Sequence, residues 1–151
     1  MRSIVLDANA VIMHGRSFPT QARTAARQGE RIILPHAVKQ ELVDDVLSSE
    51  DAPANHKNSA QAIQELIDEG ILNVQPPDFE AYGGVIDEAR RRIADESLPE
   101  HAVQADQYIP AVVCELATEG TVCLVTADSK LRDIVNDITT RRGINERVDL
   151  K

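Results

Sequence analysis

Four acidic residues from four separated segments of the chain carry the side chains needed to hold a divalent cation. They are Asp7, Glu41, Asp106 and Asp128. Carboxylate oxygens are the donors that Mg²⁺ and Mn²⁺ prefer, whereas zinc sites usually include His or Cys. Such ions lower the pKa of a bound water and stabilise the oxyanions of a phosphodiester. The four residues therefore predict metal-dependent phosphodiester hydrolysis, on the condition that folding brings them together.

The elements around these residues predict an α/β fold. Short apolar runs predict strands at residues 4–6, 31–34, 71–74, 121–125 and 147–150. Helical periodicity predicts helices at residues 20–28, 35–47, 63–67, 78–96, 131–138, and from 99 or 106 to 118. The polar residues 48–59 predict a loop. Strands that alternate with helices in this way predict a parallel sheet of about four to five strands, flanked by helices on both faces. We expect one domain over residues 1–151.

The predicted topology places the four carboxylates at one edge of the sheet. Parallel strands joined by right-handed crossovers all end at the carboxyl edge, and the helices that follow them begin there. Asp7 and Asp128 follow predicted strands, whereas Glu41 and Asp106 lie near the starts of predicted helices. Taken singly, the first two also fit helix N-caps and the other two fit surface positions. Taken together, they repel by roughly 4 kcal/mol per close pair at intermediate dielectric, so a cation is the natural compensation.

Composition narrows the class of protein. The formal net charge of −9 argues against a surface that binds nucleic acid merely by being basic, but a carboxylate site filled by cations is locally neutralised. The acidic surface suits a salt-rich cytoplasm and equally suits a moderately acidic protein of an ordinary cell. No apolar run approaches the roughly 20 residues of a membrane span, so we expect a soluble, cytoplasmic protein. Cys114 and Cys123 lie among apolar neighbours and predict buried free thiols, and the four histidines lack the paired spacing of a zinc site.

Four segments resemble, in order, the signature segments of PIN-domain nucleases: IVLDANAVI, IILPHAVKQEL, ADQYIPAVV and LVTADSKL. The resemblance implies that Asp7, Glu41, Asp106 and Asp128 are the acidic metal-binding and catalytic quartet, with Asn9 and Thr126 as supporting polar residues. It further implies a ribonuclease dependent on Mg²⁺ or Mn²⁺ and, from the size of the chain, a VapC-type toxin with an antitoxin protein as partner. Dimers are common in this family, so a homodimer is a further expectation.

Two positions depart from the family pattern. The family often has a second acidic residue two positions after the last one, where this chain has Lys130. Pro110 lies four residues after Asp106, where a continuous helix would lose a backbone hydrogen bond. Either that helix kinks, or it starts near Asp106.

Basic residues offer candidate contacts to the RNA backbone. The candidates are Arg90, Arg91, Arg92, Arg23 and Arg27. Such runs more often form a solvated helix face. The aromatic residues Phe18, Phe79, Tyr82 and Tyr108 look too few for a base-stacking platform, so we expect binding through metal and backbone contacts.

Other functions compete with this interpretation. A phosphatase of the haloacid dehalogenase class also ends its first strand on a nucleophilic Asp, but it needs a second Asp two residues later, where this chain has Asn9. A phosphoacceptor receiver domain needs adjacent acidic residues near the end of the first strand, which are absent from the sequence. A catalytically degenerate PIN-like domain that only binds RNA or protein stays open, because Pro110 and Lys130 bear on the site.

Overall fold

A five-stranded parallel sheet forms the centre of the molecule. The computed structural model describes residues 2–94 and 105–151. The strands are β1 (Arg2–Leu6), β2 (Arg31–Pro35), β3 (Leu72–Gln75), β4 (Thr121–Val125) and β5 (Val148–Leu150), in the order β3-β2-β1-β4-β5. All pairs are parallel, as the sequence predicted. Leu6 pairs with Val125 at the ends of β1 and β4, so the residues that follow these two strands are neighbours at the carboxyl edge.

Helices connect the strands and cover the sheet. They are α1 (Ala8–His14), α2 (Phe18–Arg27), α3 (His36–Lys39), a π-helical segment (Gln40–Asp44), α4 (Asp45–Ser48), α5 (Ala54–Asp68), α6 (Gly83–Ala94), α7 (Ile109–Ala117) and α8 (Ser129–Arg141). Turns of 3₁₀ helix occur at Gly15–Ser17, Asp106–Tyr108 and Asn145–Arg147. None of the helices in the described ranges has the length and apolar character needed to span a bilayer.

The core explains why the strands read as continuous apolar runs. Val5, Ile33 and Leu124 are fully buried because helices cover the sheet. A second, smaller apolar cluster joins α6, α7 and α8 and includes Cys114. Cys114 and Cys123 are both buried free thiols, as predicted.

Two of the predicted element boundaries are wrong. Residues 48–59 were expected to be a loop, but α5 already begins at Ala54, because the Pro53 carbonyl accepts the first backbone N–H groups of a helix despite its polar sequence. The helix expected over 78–96 begins only at Gly83. The side chain of Asp78 accepts hydrogen bonds from the N–H groups of Glu80 and Ala81 and so holds a turn before that helix. Positions 95 and 96 of the prediction lie outside the described residues.

Pro110 is accommodated without a kink. Asp106 lies in the 3₁₀ turn Asp106–Tyr108, and α7 starts at Ile109 with Pro110 in its first turn. A proline there removes no helical hydrogen bond, because the first N–H groups of a helix have no partner within it. The helix therefore starts near Asp106, and the part of the prediction over residues 99–104 lies outside the described residues.

Candidate active site

Asp7 joins the end of β1 to the start of α1. Its Oδ1 accepts a hydrogen bond from the backbone N–H of Ala10 at 2.7 Å, which makes it the N-cap of α1. Its Oδ2 accepts the hydroxyl hydrogen bond of Thr126, and the residue is only 2% exposed. Each carboxylate oxygen has a second lone pair, so capping does not prevent Asp7 from also binding a cation.

Thr126 and Asp128 form the corresponding turn after β4. The Thr126 hydroxyl oxygen accepts the backbone N–H of Asp128 at 3.0 Å. Oδ1 of Asp128 caps α8 by accepting the N–H groups of Lys130 at 2.9 Å and Leu131 at 3.2 Å. Thr126 therefore links the two acidic residues at the ends of neighbouring strands. Asn9, the other supporting polar residue, is exposed in the first turn of α1.

Glu41 is exposed and lies in the π-helical segment Gln40–Asp44, not in a regular α-helix. The wider turn of this segment brings Lys39 and Asp44 together, five residues apart, with 2.6 Å between Nζ and Oδ1. Single π turns inside helices are rare and occur often at functional sites. The helical periodicity of residues 35–47 did not indicate this segment.

Asp106 shows that the four carboxylates share one electrostatic environment. It is half-buried, and its pKa is raised from 3.8 to about 7. Burial is the largest cause, followed by the negative charges of Asp7, Asp128 and Glu41. A carboxylate is driven toward its protonated form when neighbouring charges are of its own sign. The predicted quartet is therefore brought close enough to interact.

The donor chemistry of this quartet fits a hard divalent cation. All four side chains offer oxygen, and the negative charges of Asp7, Asp128 and Glu41 add to burial in raising the pKa of Asp106. Within residues 2–94 and 105–151, however, no three His, Cys, Asp or Glu side chains already stand close enough together to ligate one ion. The four carboxylates are thus close enough to affect the pKa of Asp106 but farther apart than the ligands of a bound ion. Their side chains would have to move toward one another to bind a cation.

Gln107 is a residue that sequence reasoning missed. It follows Asp106 directly, is buried, and accepts a hydrogen bond from Nε of Arg90 at 2.6 Å. Arg90 was predicted as an RNA contact, but it also ties α6 to the turn that carries Asp106. The sequence shows that a Gln follows Asp106, but this position did not indicate a hydrogen-bond partner for it.

The other basic candidates differ in their surroundings. Arg92 forms ion pairs with Asp137 at 2.8 Å and Glu88 at 3.6 Å, whereas Arg91 is exposed and its Nε donates to a backbone carbonyl. Arg23 forms an ion pair at 2.7 Å with Glu69, and Glu69 lies just before the start of β3. Arg27 is the last residue of α2, just before β2. The last two arginines therefore lie toward the amino edge of the sheet, away from the carboxylates.

A parallel sheet with acidic residues at its carboxyl edge is the arrangement that the resemblance to PIN domains implied. The family model described as "Halobacterial PIN domain" matches residues 2–151, and the chain belongs to this family. This confirms the resemblance seen in the four signature segments.

Solved structures agree with the fold. The chain is similar to VapBC-1 from nontypeable Haemophilus influenzae, with a TM-score of 0.53 and 16% identity over 99% of this chain and 96% of that one. It is also similar to VapBC2 from Rickettsia felis, bound to a DNA fragment from their promoter, with a TM-score of 0.54 and 18% identity over 99% and 97%. No curated protein sequence matches the chain. At these identities the likeness establishes the fold alone.

Proposed function

We propose that this protein is a cytoplasmic endoribonuclease that depends on Mg²⁺ or Mn²⁺. The observation that supports the proposal is the link through Thr126 between Asp7 and Asp128 at the carboxyl edge, near which burial and the negative charges of Asp7, Asp128 and Glu41 raise the pKa of Asp106. A cluster of negative charge with oxygen donors is what a divalent cation neutralises. Membership in the PIN-domain nuclease family supports hydrolysis of a phosphodiester as the reaction.

Each residue has a defined part in this proposal. Asp7, Glu41, Asp106 and Asp128 would hold the cation, which supplies an activated water and stabilises charge on the phosphate. Thr126 keeps Asp7 in place through its hydroxyl group, and Asn9 stands exposed beside it as a polar group for the substrate. Arg90 and Arg91 reach solvent on α6 and can contact phosphates of the RNA. Arg23 and Arg27 are not included, because they lie toward the opposite edge of the sheet.

Cleavage of a labelled single-stranded RNA with Mn²⁺, Mg²⁺ or EDTA tests the proposal. We expect cleavage with either ion, none with EDTA, and loss of most activity in Asp7→Asn. The amide keeps an oxygen for the Ala10 N–H and so preserves the cap while removing the charge. Asp133→Asn is the matched control, since Asp133 is exposed on α8.

RNA binding without cleavage would favour a degenerate binding domain, and equal cleavage by Asp7→Asn would refute the assignment. A haloacid dehalogenase-type phosphatase would instead release phosphate from monoesters.

A role as a VapC-type toxin is a second proposal, and one surface feature supports it. A groove of about 610 Å³ lies between α1, α2, α4 and α5, and its lining combines apolar residues such as Val11, Phe18 and Val46 with polar residues such as Asn55 and His56. Ile12, at the rim of this groove, is 62% exposed. The likeness to VapBC structures over the whole chain makes an antitoxin protein the proposed occupant. An Arg of the antitoxin could pair bidentately with the carboxylates and block the site.

Expression alone and beside the adjacent small gene tests this second role. We expect growth arrest in the first case, and rescue with co-purification in the second. Ile12→Asp should abolish co-purification while RNA cleavage is retained, since Ile12 lies outside the carboxylate cluster. Size-exclusion chromatography of the chain alone tests the expected homodimer. Harmless expression of an active nuclease without a partner would instead favour a role in RNA processing.

A further inference from the structure

Phe79 is a large aromatic side chain left open to solvent near the candidate active site. It is 60% exposed and lies in the turn that follows β3, at the carboxyl edge of the sheet. An exposed aromatic ring offers a flat apolar face on which a planar ligand can stack. The PIN-type site so far described assigns it no task.

The turn that carries Phe79 is held in place on both sides. Oδ1 of Asp78 accepts the N–H groups of Glu80 and Ala81 at 3.1 and 3.0 Å, and its carbonyl accepts the N–H of Tyr82 at 2.9 Å. These bonds fix the backbone around residue 79. The Phe79 ring is therefore attached to a hydrogen-bonded turn at the surface.

The ring of Phe79 also contacts Tyr108. The two ring centroids are 5.8 Å apart and the rings meet at 77°, in an edge-to-face arrangement. Tyr108 is half-buried and packs against the apolar cluster of α6, α7 and α8, so it anchors Phe79 to the core. Ordering of the ring before binding reduces the entropy that a ligand would have to offset.

Tyr108 connects this aromatic pair to the turn that carries Asp106. The two residues belong to the same 3₁₀ turn, two positions apart, which corresponds to about 4 Å along its axis. Phe79 follows β3, so it lies at the same edge of the parallel sheet as the residues that follow β1 and β4. The ring is therefore a candidate contact for a base of an RNA strand bound at this edge.

We propose that Phe79 stacks on a nucleobase of single-stranded RNA, supported by Tyr108; this rests on the ribonuclease function proposed above. The formal net charge of −9 disfavours binding by phosphate contacts alone, and Arg92 is already paired with acidic residues. Stacking on an aromatic ring accepts any base and needs no positive charge. It also persists at salt concentrations that weaken phosphate contacts. A single aromatic residue at this position is therefore sufficient for stacking on one base, although the chain has few aromatic residues.

Tryptophan fluorescence gives a direct test, because the chain has no tryptophan. Phe79→Trp introduces a single reporter at the proposed stacking position, and Ile12→Trp places one at a site of matched exposure, 62% against 60%. Both are made in the Asp7→Asn background so that RNA is bound without being cut. We expect single-stranded RNA to quench the emission of Phe79→Trp and to leave that of Ile12→Trp unchanged. Equal quenching in both variants, or none in either, would overturn the proposal.

Affinity measurements separate stacking from a merely apolar contact. Phe79→Leu keeps apolar area and loses the aromatic face, so we expect its dissociation constant for RNA to rise about tenfold, while Phe79→Trp restores wild-type affinity. The tenfold ratio should hold as salt is raised, because stacking is not screened. Thermal unfolding should be nearly unchanged, since the side chain is exposed. Wild-type affinity in Phe79→Leu would refute stacking alone, whereas absence of RNA binding by the wild-type chain would refute the ribonuclease function and the stacking together.

Discussion

The hydroxyl group of Thr126 donates a hydrogen bond to Oδ2 of Asp7, across 119 residues of sequence. The same hydroxyl oxygen accepts the backbone N–H of Asp128. One small side chain thus holds two acidic residues in register at the ends of β1 and β4. The parallel pairing of Leu6 with Val125 makes this contact possible, because the next residue along each chain stands at the same level.

Thr126→Val should destabilise the fold. Valine keeps the shape but removes the donor to a buried carboxylate, and an unsatisfied buried group costs about 1–3 kcal/mol. We expect a lower urea midpoint, with Thr126→Ser close to wild type. Thr139→Val is the matched control, because the buried Thr139 hydroxyl donates to the carbonyls of Val135 and Asn136 in its own helix. An equal decrease of the urea midpoint in both valine variants would show that the hydrogen bond to Asp7 stabilises the fold no more than a bond within one helix.

Asp106 should make the metal-free protein less stable as pH rises. Its pKa in the native state is about 7, above the ordinary Asp value of 3.8, so between these values the native state binds more protons than the unfolded state. The free energy of unfolding therefore falls as pH rises from about 4 to 7, by at most about 4 kcal/mol. Thermal unfolding in EDTA should show this slope in wild type and in Asp133→Asn, and a flatter one in Asp106→Asn. The same slope in Asp106→Asn would refute the placement of this carboxylate.

Arg90 should contribute to stability as well as to RNA binding. Arg90→Met removes the donor to the buried Gln107, and we expect a loss of about 1–3 kcal/mol in the free energy of unfolding. Arg91→Met, one residue further on the same helix, should change stability by less than about 0.5 kcal/mol, as is usual for exposed positions. Equal stability of the two variants in urea would show that the hydrogen bond from Arg90 to Gln107 contributes nothing to the free energy of unfolding.

The sequence predicted the parallel sheet and the edge that carries the carboxylates. The reason is that buried strands such as Thr121–Val125 leave an unambiguous apolar run, and strand ends in a parallel sheet share one edge. Asp7 and Asp128 were weighed both as caps and as ligands, and the structure shows that both are caps. Capping and cation binding use different lone pairs, so one role does not exclude the other.

Details that depend on tertiary contact escaped prediction. The π-helical segment around Glu41 and the bond from Arg90 to Gln107 arise from packing between elements and leave no periodic signal. The start of α6 was misplaced because the side-chain bonds of Asp78 hold a turn where apolar spacing favoured a helix. A count of aromatic residues likewise says nothing about where a residue such as Phe79 is exposed.

Calorimetric titration with Mn²⁺ measures whether the four carboxylates form one metal site. We expect the wild-type chain and Asp133→Asn to bind Mn²⁺ with similar affinity, and Asp106→Asn to bind it about tenfold more weakly or worse, because one of four converging carboxylates is lost. We expect a matching difference in the rise of Tm on addition of Mn²⁺, since a ligand that binds only the native state stabilises it. Equal affinity of Asp106→Asn and wild type, or no binding by the wild-type chain, would contradict a metal centre built from these four residues.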